Sequence, residues 1–177
     1  NQSLTAGVAT GNSFAATYTT LLRATVTTNT TAFDTIPVSV TINPSLLLTA
    51  SAPSITTAPE IVQTGQLTLT NTGNTDLNGV TISVGSMTSG TTVLPSSAIT
   101  LSSSNVNILY GANSAITVTV NPPAGQALGT YTGTVTVNYG GTSAATSTLT
   151  VVVRNPTRDV QFSASTLDIG SSTQERE

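Results

Sequence analysis

The feature that most constrains this chain is an alternation of apolar and hydroxyl side chains along most of its length. Period two is typical of a β-strand with one apolar face, because successive side chains of a strand point to opposite sides. No run of ten residues has the helical period. The sequence therefore predicts an all-β fold, with no helix longer than about two turns.

From residue 46 onward the alternation is divided into short runs separated by polar turns. Six or seven such strands predict an antiparallel β-sandwich. The side chains expected to point into its core are Leu67, Leu69, Val80, Ile82, Val84, Ile116, Val118, Val120, Tyr131, Val135, Val137, Leu149, Val151 and Val153.

The N-terminal region carries the longest alternation. Apolar side chains share even positions from Leu4 to Val26, and four more share one face in the run from Ile36 to Ile42. This pattern predicts a long pleated ribbon with one buried side. Gly7 and Gly11 allow a bend in it.

The charge content excludes several classes of partner. Charged residues make up 6% of the chain, against about 25% in an average domain. The net charge is −3, and four arginines are the only basic residues. We expect no nucleic-acid binding, because phosphate contacts need Lys or Arg clusters. The longest apolar runs have strand length, so we also expect no membrane insertion.

The same composition indicates where the protein works. Thr and Ser together make up about one third of the chain, which gives a hydroxyl-rich surface with little to titrate. This composition is typical of extracellular and cell-surface proteins. The chain starts at Asn1 without Met, and we interpret it as a mature form whose targeting segment has been removed.

The chain lacks the residue types on which many catalytic sites depend. There is no His and no Cys, which excludes histidine-based triads, thiol nucleophiles and Cys or His metal sites. The seven acidic residues are scattered, whereas paired-carboxylate hydrolysis needs two that converge. We predict that the protein is not an enzyme and needs no cofactor.

The turn "NTGNTD" at residues 71–76 allows two interpretations. Oxygens of Asn71, Asn74 and Asp76 could ligate calcium, but Ca²⁺ takes 6–8 oxygen ligands and usually several carboxylates. The favoured interpretation is a tight turn, because Asn, Gly and Asp tolerate positive φ. We therefore expect no metal site.

Two further features leave alternatives open. The tyrosines either form a sugar-binding platform or, as we favour, pack in strands and at a tyrosine corner; they are Tyr18, Tyr110, Tyr131 and Tyr139. Acceptor motifs for N-glycosylation occur at Asn29 and Asn1, of which Asn29 lies in the better exposed predicted turn.

Two stretches together resemble a known family. "LTLTNTGNTDLNGVTISV" followed by "ITVTVNPPAGQALGTYTGTVTVNY" is similar to the immunoglobulin-like modules of prokaryotic surface proteins. The resemblance covers about residues 46–154 and implies a sandwich used as a spacer, an adhesin or a filament subunit. "FSASTLDIG" near the C-terminus faintly resembles a stretch of the TasA and camelysin family of matrix fibres.

We accordingly divide the chain into four segments. Residues 1–12 form an N-terminal arm, 13–45 form N-terminal strands that join the sandwich, 46–154 form the immunoglobulin-like sandwich, and 155–177 form a C-terminal strand with a polar tail.

The arm suggests a mode of assembly. A sandwich has edge strands that accept another chain, and an alternating apolar arm fits such an edge in a neighbour. Leu4, Ala6 and Val8 are the predicted donor-strand residues, with Gly11 and Asn12 as the hinge.

Each copy would then donate one arm and accept another, which builds an open filament of identical subunits. Further expected partners of this filament are surfaces or other cells. Without lysine, sortase linkage and Lys–Asn isopeptide bonds are excluded, so the assembly is non-covalent. The alternatives are a self-contained adhesion or spacer module, with residues 1–45 folded back on their own sandwich, and a virion or surface-coat protein.

Overall fold

The computed structural model describes residues 13–26 and 28–156. It confirms the predicted all-β fold and the immunoglobulin-like sandwich. Within the described residues, the helical content is a single 3₁₀ turn at Ser96–Ala98.

The sandwich consists of two packed sheets. The first has the order β10-β6-β12-β13-β4, with β7 beside β12 and β8 beside β7. Its strands are β4 (Ser54–Thr57), β6 (Leu77–Val84), β7 (Met87–Ser89), β8 (Thr92–Leu94), β10 (Asn105–Ile108), β12 (Gly129–Tyr139) and β13 (Thr142–Val153). The second has the order β3-β5-β11-β9, with β3 (Leu48–Ser51), β5 (Gln63–Asn71), β9 (Ile99–Leu101) and β11 (Asn113–Val120).

The predicted core residues lie between these sheets. All of them are buried except Val84, which is half-buried at the end of β6. Met87, Leu94 and Ile108 are also fully or almost fully buried, although the alternation did not indicate them. They lie in strands of three or four residues, which are too short to show a period.

One strand pair departs from the expected antiparallel pattern. The first sandwich strand changes sheets: β3 pairs antiparallel with β5, and β4 pairs parallel with β13. Pro53 lies between them, where the missing N–H interrupts the ladder. Gly65 packs directly against this crossing, and a Cβ at position 65 would come within 2.8 Å of the Pro53 ring. The crossing strand covers one side of the sandwich.

The placement of the N-terminal strands differs from the prediction that they join the sandwich. Residues 13–45 do not add strands to the sandwich: β1 (Thr17–Val26) and β2 (Asn29–Thr41) form a separate two-stranded sheet. The physical reason is that the described core is complete without them, since every buried hydrophobic residue lies between Leu48 and Val153. We call this sheet the N-terminal hairpin.

The two ends of the sandwich are named the proximal pole and the distal pole. The proximal pole holds the base of the hairpin, the 72–76 turn, the 109–112 turn and the 140–141 turn. The distal pole holds the 58–62 and 121–128 loops and residues 154–156. The described chain enters at Ser13 on the proximal pole and reaches Pro156 on the distal pole, because β13 runs the full length between them.

Candidate assembly surfaces

The 72–76 turn lies between consecutive strands, as predicted, and it is held by a buried amide. Asn71 is 1% exposed. Its Nδ2 donates to the carbonyl oxygens of Thr75 (2.8 Å), Ile108 (3.2 Å) and Leu109 (3.2 Å). Its Oδ1 accepts a hydrogen bond from the Gly73 N–H (3.1 Å). One side chain therefore ties two turns of the proximal pole together.

Asn74 in the same turn fixes the base of the hairpin. Its Oδ1 accepts from the Ser45 N–H at 2.6 Å, and its Nδ2 donates to the Asn43 carbonyl at 3.2 Å. Its own carbonyl accepts from the Ala15 N–H at 2.7 Å. Asn74 thus holds both the segment that enters the hairpin and the segment that leaves it.

An aromatic contact adds to this attachment. The Phe14 ring meets the Tyr110 ring edge to face, with centroids 5.9 Å apart, and the Tyr110 N–H donates to Asp76 Oδ1 at 2.8 Å. The oxygens considered for calcium therefore accept backbone hydrogen bonds, which is the structural role of this turn. In the described part of the chain, no group of three or more acidic residues is placed to hold a metal ion.

The hairpin presents an apolar face that its own sandwich leaves exposed. Cross-strand pairing sets Tyr18 opposite Val40 and Leu22 opposite Ile36, on one face. The shared parity of these positions was predicted, but the expected burial is wrong in this chain: Leu22 is 39% exposed and Ile36 is 61% exposed. A two-stranded sheet on its own is only marginally stable in water.

The opposite face of the hairpin is more polar. It carries the pairs Thr17–Thr41 and Thr19–Ser39, and also Leu21 opposite Pro37 and the Phe33 ring, whose centre is 4.0 Å from the Arg23 guanidinium.

Large exposed hydrophobic side chains are concentrated in three places within the described residues. Those on the hairpin are Tyr18, Leu21, Leu22, Phe33 and Ile36. Those at the proximal pole are Phe14, Leu46, Leu47 and Leu109, and those at the distal end are Ile61, Val62, Val93 and Leu128. The outward positions of the long sandwich strands are instead mostly Thr. The poles, rather than the sheet faces, have the apolar character of a contact surface.

The tyrosines do not form one platform. Tyr131 is fully buried, donates its hydroxyl to the Ala127 carbonyl at 2.7 Å and accepts from Gln126 Nε2 at 2.8 Å, which is the geometry of a tyrosine corner. Tyr18 lies on the hairpin, and Tyr110 and Tyr139 lie near the proximal pole, with Tyr139 packed against the core.

Several predicted site residues lie outside the described residues: Leu4, Ala6, Val8, Gly11, Asn12 and Asn1. Asn29 is the first residue of β2. The described acids lie far apart, with Asp34 on the hairpin, Asp76 at the proximal pole and Glu60 at the distal pole. Among the residues described, no helix is long and apolar enough to cross a membrane.

Comparison with known proteins supports the fold. No protein-family model and no curated sequence matches the chain. Part of a family 123 glycoside hydrolase from Clostridium perfringens is similar in structure, with a TM-score of 0.51 and 14% identity over 59% of this chain and 23% of that one. The present chain thus spans about a quarter of that enzyme.

Two smaller domains are similar at lower TM-scores. A PapD-like domain of human CEP192 gives 0.45, with 17% identity over 63% of this chain and 87% of that one. A CARDB domain from Pyrococcus furiosus, in complex with di-metal ions, gives 0.39, with 16% identity over 62% and 89%. At 14% identity, the likeness to the glycoside hydrolase concerns the fold alone.

Proposed function

We propose that this protein is the structural subunit of a non-covalent extracellular filament, assembled head to tail by β-strand donation and serving adhesion or biofilm formation. The observation that carries the proposal is the placement of exposed hydrophobic side chains on the hairpin and at the two poles. A surface of this kind at opposite ends of one molecule favours contact between the proximal pole of one copy and the distal pole of the next.

Such a contact joins two different surfaces and therefore does not close. Head-to-tail association of identical subunits continues into an open filament unless its rotation closes a ring. The course of the described chain fits this arrangement, because it begins at Ser13 on the proximal pole and reaches Pro156 on the distal pole.

The hairpin supplies hydrophobic area for this contact. Full burial of a Leu or Ile side chain contributes about 1.5–3 kcal/mol, so Leu22 and Ile36 alone offer a few kcal/mol when a neighbour covers them. The absence of Cys and Lys leaves neither disulfides nor isopeptide bonds to link the subunits. Strand pairing and apolar contact then hold the filament.

Negative-stain electron microscopy of the purified chain tests the proposal, with sedimentation velocity on the same sample. We expect unbranched filaments and a sedimenting fraction that grows with protein concentration, because assembly follows mass action. Isolated globules and a single monomer peak at every concentration would reject the filament and favour a self-contained adhesion or spacer module.

A further inference from the structure

We infer that the acceptor site for the donated strand is a groove between β6 and β9, filled by residues 1–12 of a second copy of this chain. This inference rests on the proposed function and names the surface that performs it. We call the site the β6–β9 groove.

The groove opens where β6 loses its neighbour. β10 pairs with β6 as far as Thr81, and the Ile82 N–H donates to the Ser104 carbonyl at 2.9 Å. Beyond that point, no strand of the described chain pairs with the outer edge of Ser83 and Val84. Unpaired strand edges are the surfaces to which another strand adds.

The facing sheet is also open at this place. β9 has three residues, from Ile99 to Leu101, and pairs on one side only, with the end of β11. The crossing at Pro53 covers the other side of the sandwich, whereas the crossing of residues 102–104 on this side leaves the edges of β6 and β9 open distal to it. The two open edges thus lie on the same side of the sandwich.

A cavity of about 290 Å³ lies between these edges. Its apolar lining is Ile82, Val84, Ile99 and Leu101, and its hydroxyl lining is Ser83, Ser96, Thr100 and Ser104. An apolar cavity of roughly 150 Å³ holds a benzene molecule, so this one has room for more than one aliphatic side chain.

Val84 is the inward-pointing residue of β6 that the groove leaves partly exposed. The alternation of β6 directs Val80, Ile82 and Val84 to the core, and the first two are buried. Val84 is left half-buried although its parity points inward. An additional strand at this edge would complete its burial.

The arm has the pattern that such a groove requires. Leu4, Ala6 and Val8 alternate with polar or small residues, and positions two apart on a strand are about 6.6 Å apart on one face. Twelve extended residues reach at most about 40 Å, so the arm can cross from one pole into an adjoining subunit.

A neighbour's groove fits better than the arm's own. On β6 the groove lies near the middle of the sheet, where Val84 is opposite Val135, and on the facing sheet it lies at the distal end of β11. The described chain starts at Ser13 on the proximal pole. When the proximal pole of one copy meets the distal pole of the next, the neighbour's groove comes within the reach of the twelve-residue arm. Occupation of its own groove would leave the apolar hairpin face uncovered.

Disulfide trapping tests this assignment cleanly, because the chain has no natural cysteine. Chains carrying Leu4→Cys, Ala6→Cys or Val8→Cys are each mixed with chains carrying Val84→Cys, allowed to assemble and oxidised. A disulfide needs Cβ atoms about 3.5–4.5 Å apart, so we expect at least one arm position to link to Cys at 84 in the neighbour. Mass spectrometry identifies the linked peptides.

Two controls match the variants in burial and in parity. Ala50→Cys is half-buried on β3, at the covered side of the sandwich, and should give at least tenfold less product. Thr5→Cys has the opposite parity to Leu4 and should also link poorly to Cys at 84.

The possible outcomes distinguish failure of the groove assignment from failure of the proposed function. Filaments in which Cys at 84 links no better than Cys at 50 would overturn the groove and leave the proposed function standing. Links confined within one chain, shown with a Leu4→Cys/Val84→Cys double variant diluted into wild-type protein, would show that the arm occupies its own groove. If no filaments form, both the groove and the proposed function fail.

Discussion

Replacing Leu22 and Ile36 together by Asp should abolish assembly while leaving the sandwich folded. These residues face each other across the hairpin on its apolar face, and both are exposed in the single subunit. Burying an unpaired carboxylate in a subunit contact costs several kcal/mol, and each 1.4 kcal/mol weakens association tenfold. We expect the protein concentration at which filaments appear to rise at least about a hundredfold. Sedimentation and microscopy measure this concentration.

The matched control places the same two charges on the other face. Thr19 and Ser39 are also directly opposite each other, so a Thr19→Asp/Ser39→Asp variant introduces the same repulsion between the strands. It should assemble nearly as wild type does. Equal loss of assembly in both variants would mean that hairpin folding, rather than its apolar face, is what matters.

Both variants should keep the stability of the sandwich. The described core lies between Leu48 and Val153 and includes no hairpin residue. Exposed substitutions away from a core usually change stability by less than about 0.5 kcal/mol. A large fall in the melting temperature of either variant would show that the hairpin is part of the cooperative unit.

The second large effect should come from Asn71→Ala. This change removes the amide that bonds to the Thr75 and Ile108 carbonyls and to the Gly73 N–H, whereas the Leu109 carbonyl keeps its hydrogen bond from the Ala112 N–H. Each buried polar group without a partner costs about 1–3 kcal/mol, so we expect a loss of about 2–4 kcal/mol. In a domain of this size that lowers the melting temperature by on the order of 10 °C.

Asn78→Ala is the control, since Asn78 is the same residue type, seven positions on, and exposed on β6. It should change the melting temperature by about a degree. Circular dichroism melts of both variants make the comparison. If Asn71→Ala melts no lower than Asn78→Ala, the buried amide network does not hold the proximal pole together.

The sandwich was predictable from sequence because alternation reports directly on burial in long strands. β5, β11, β12 and β13 each extend over eight or more residues, and their inward positions are buried as expected. The change of sheets at Pro53 was not predicted, since alternation does not say which sheet a strand joins. Short strands such as β7 and β8 have too few residues to show a period.

The contact surfaces were only partly predictable. Parity correctly placed Leu22 and Ile36 on one face, but it carries no information on what covers that face. The "NTGNTD" pattern indicated a turn, whereas the role of Asn74 in holding the hairpin depends on partners about 30 positions away. Two asparagines on either side of a glycine were the visible indication of this role. The half-burial of Val84 required the three-dimensional structure.

The most direct test of head-to-tail assembly is pole-specific cross-linking. Leu109 at the proximal pole and Leu128 at the distal pole are both exposed, so each can be replaced by Cys without opening the core. Assembled mixtures of Leu109→Cys and Leu128→Cys chains are treated with a short bismaleimide, with each variant alone as the control. We expect dimers linked from 109 to 128 in the mixture and little product from either variant alone. Dimers of Leu109→Cys alone, formed as efficiently as those in the mixture, would show a closed proximal-to-proximal contact and contradict it.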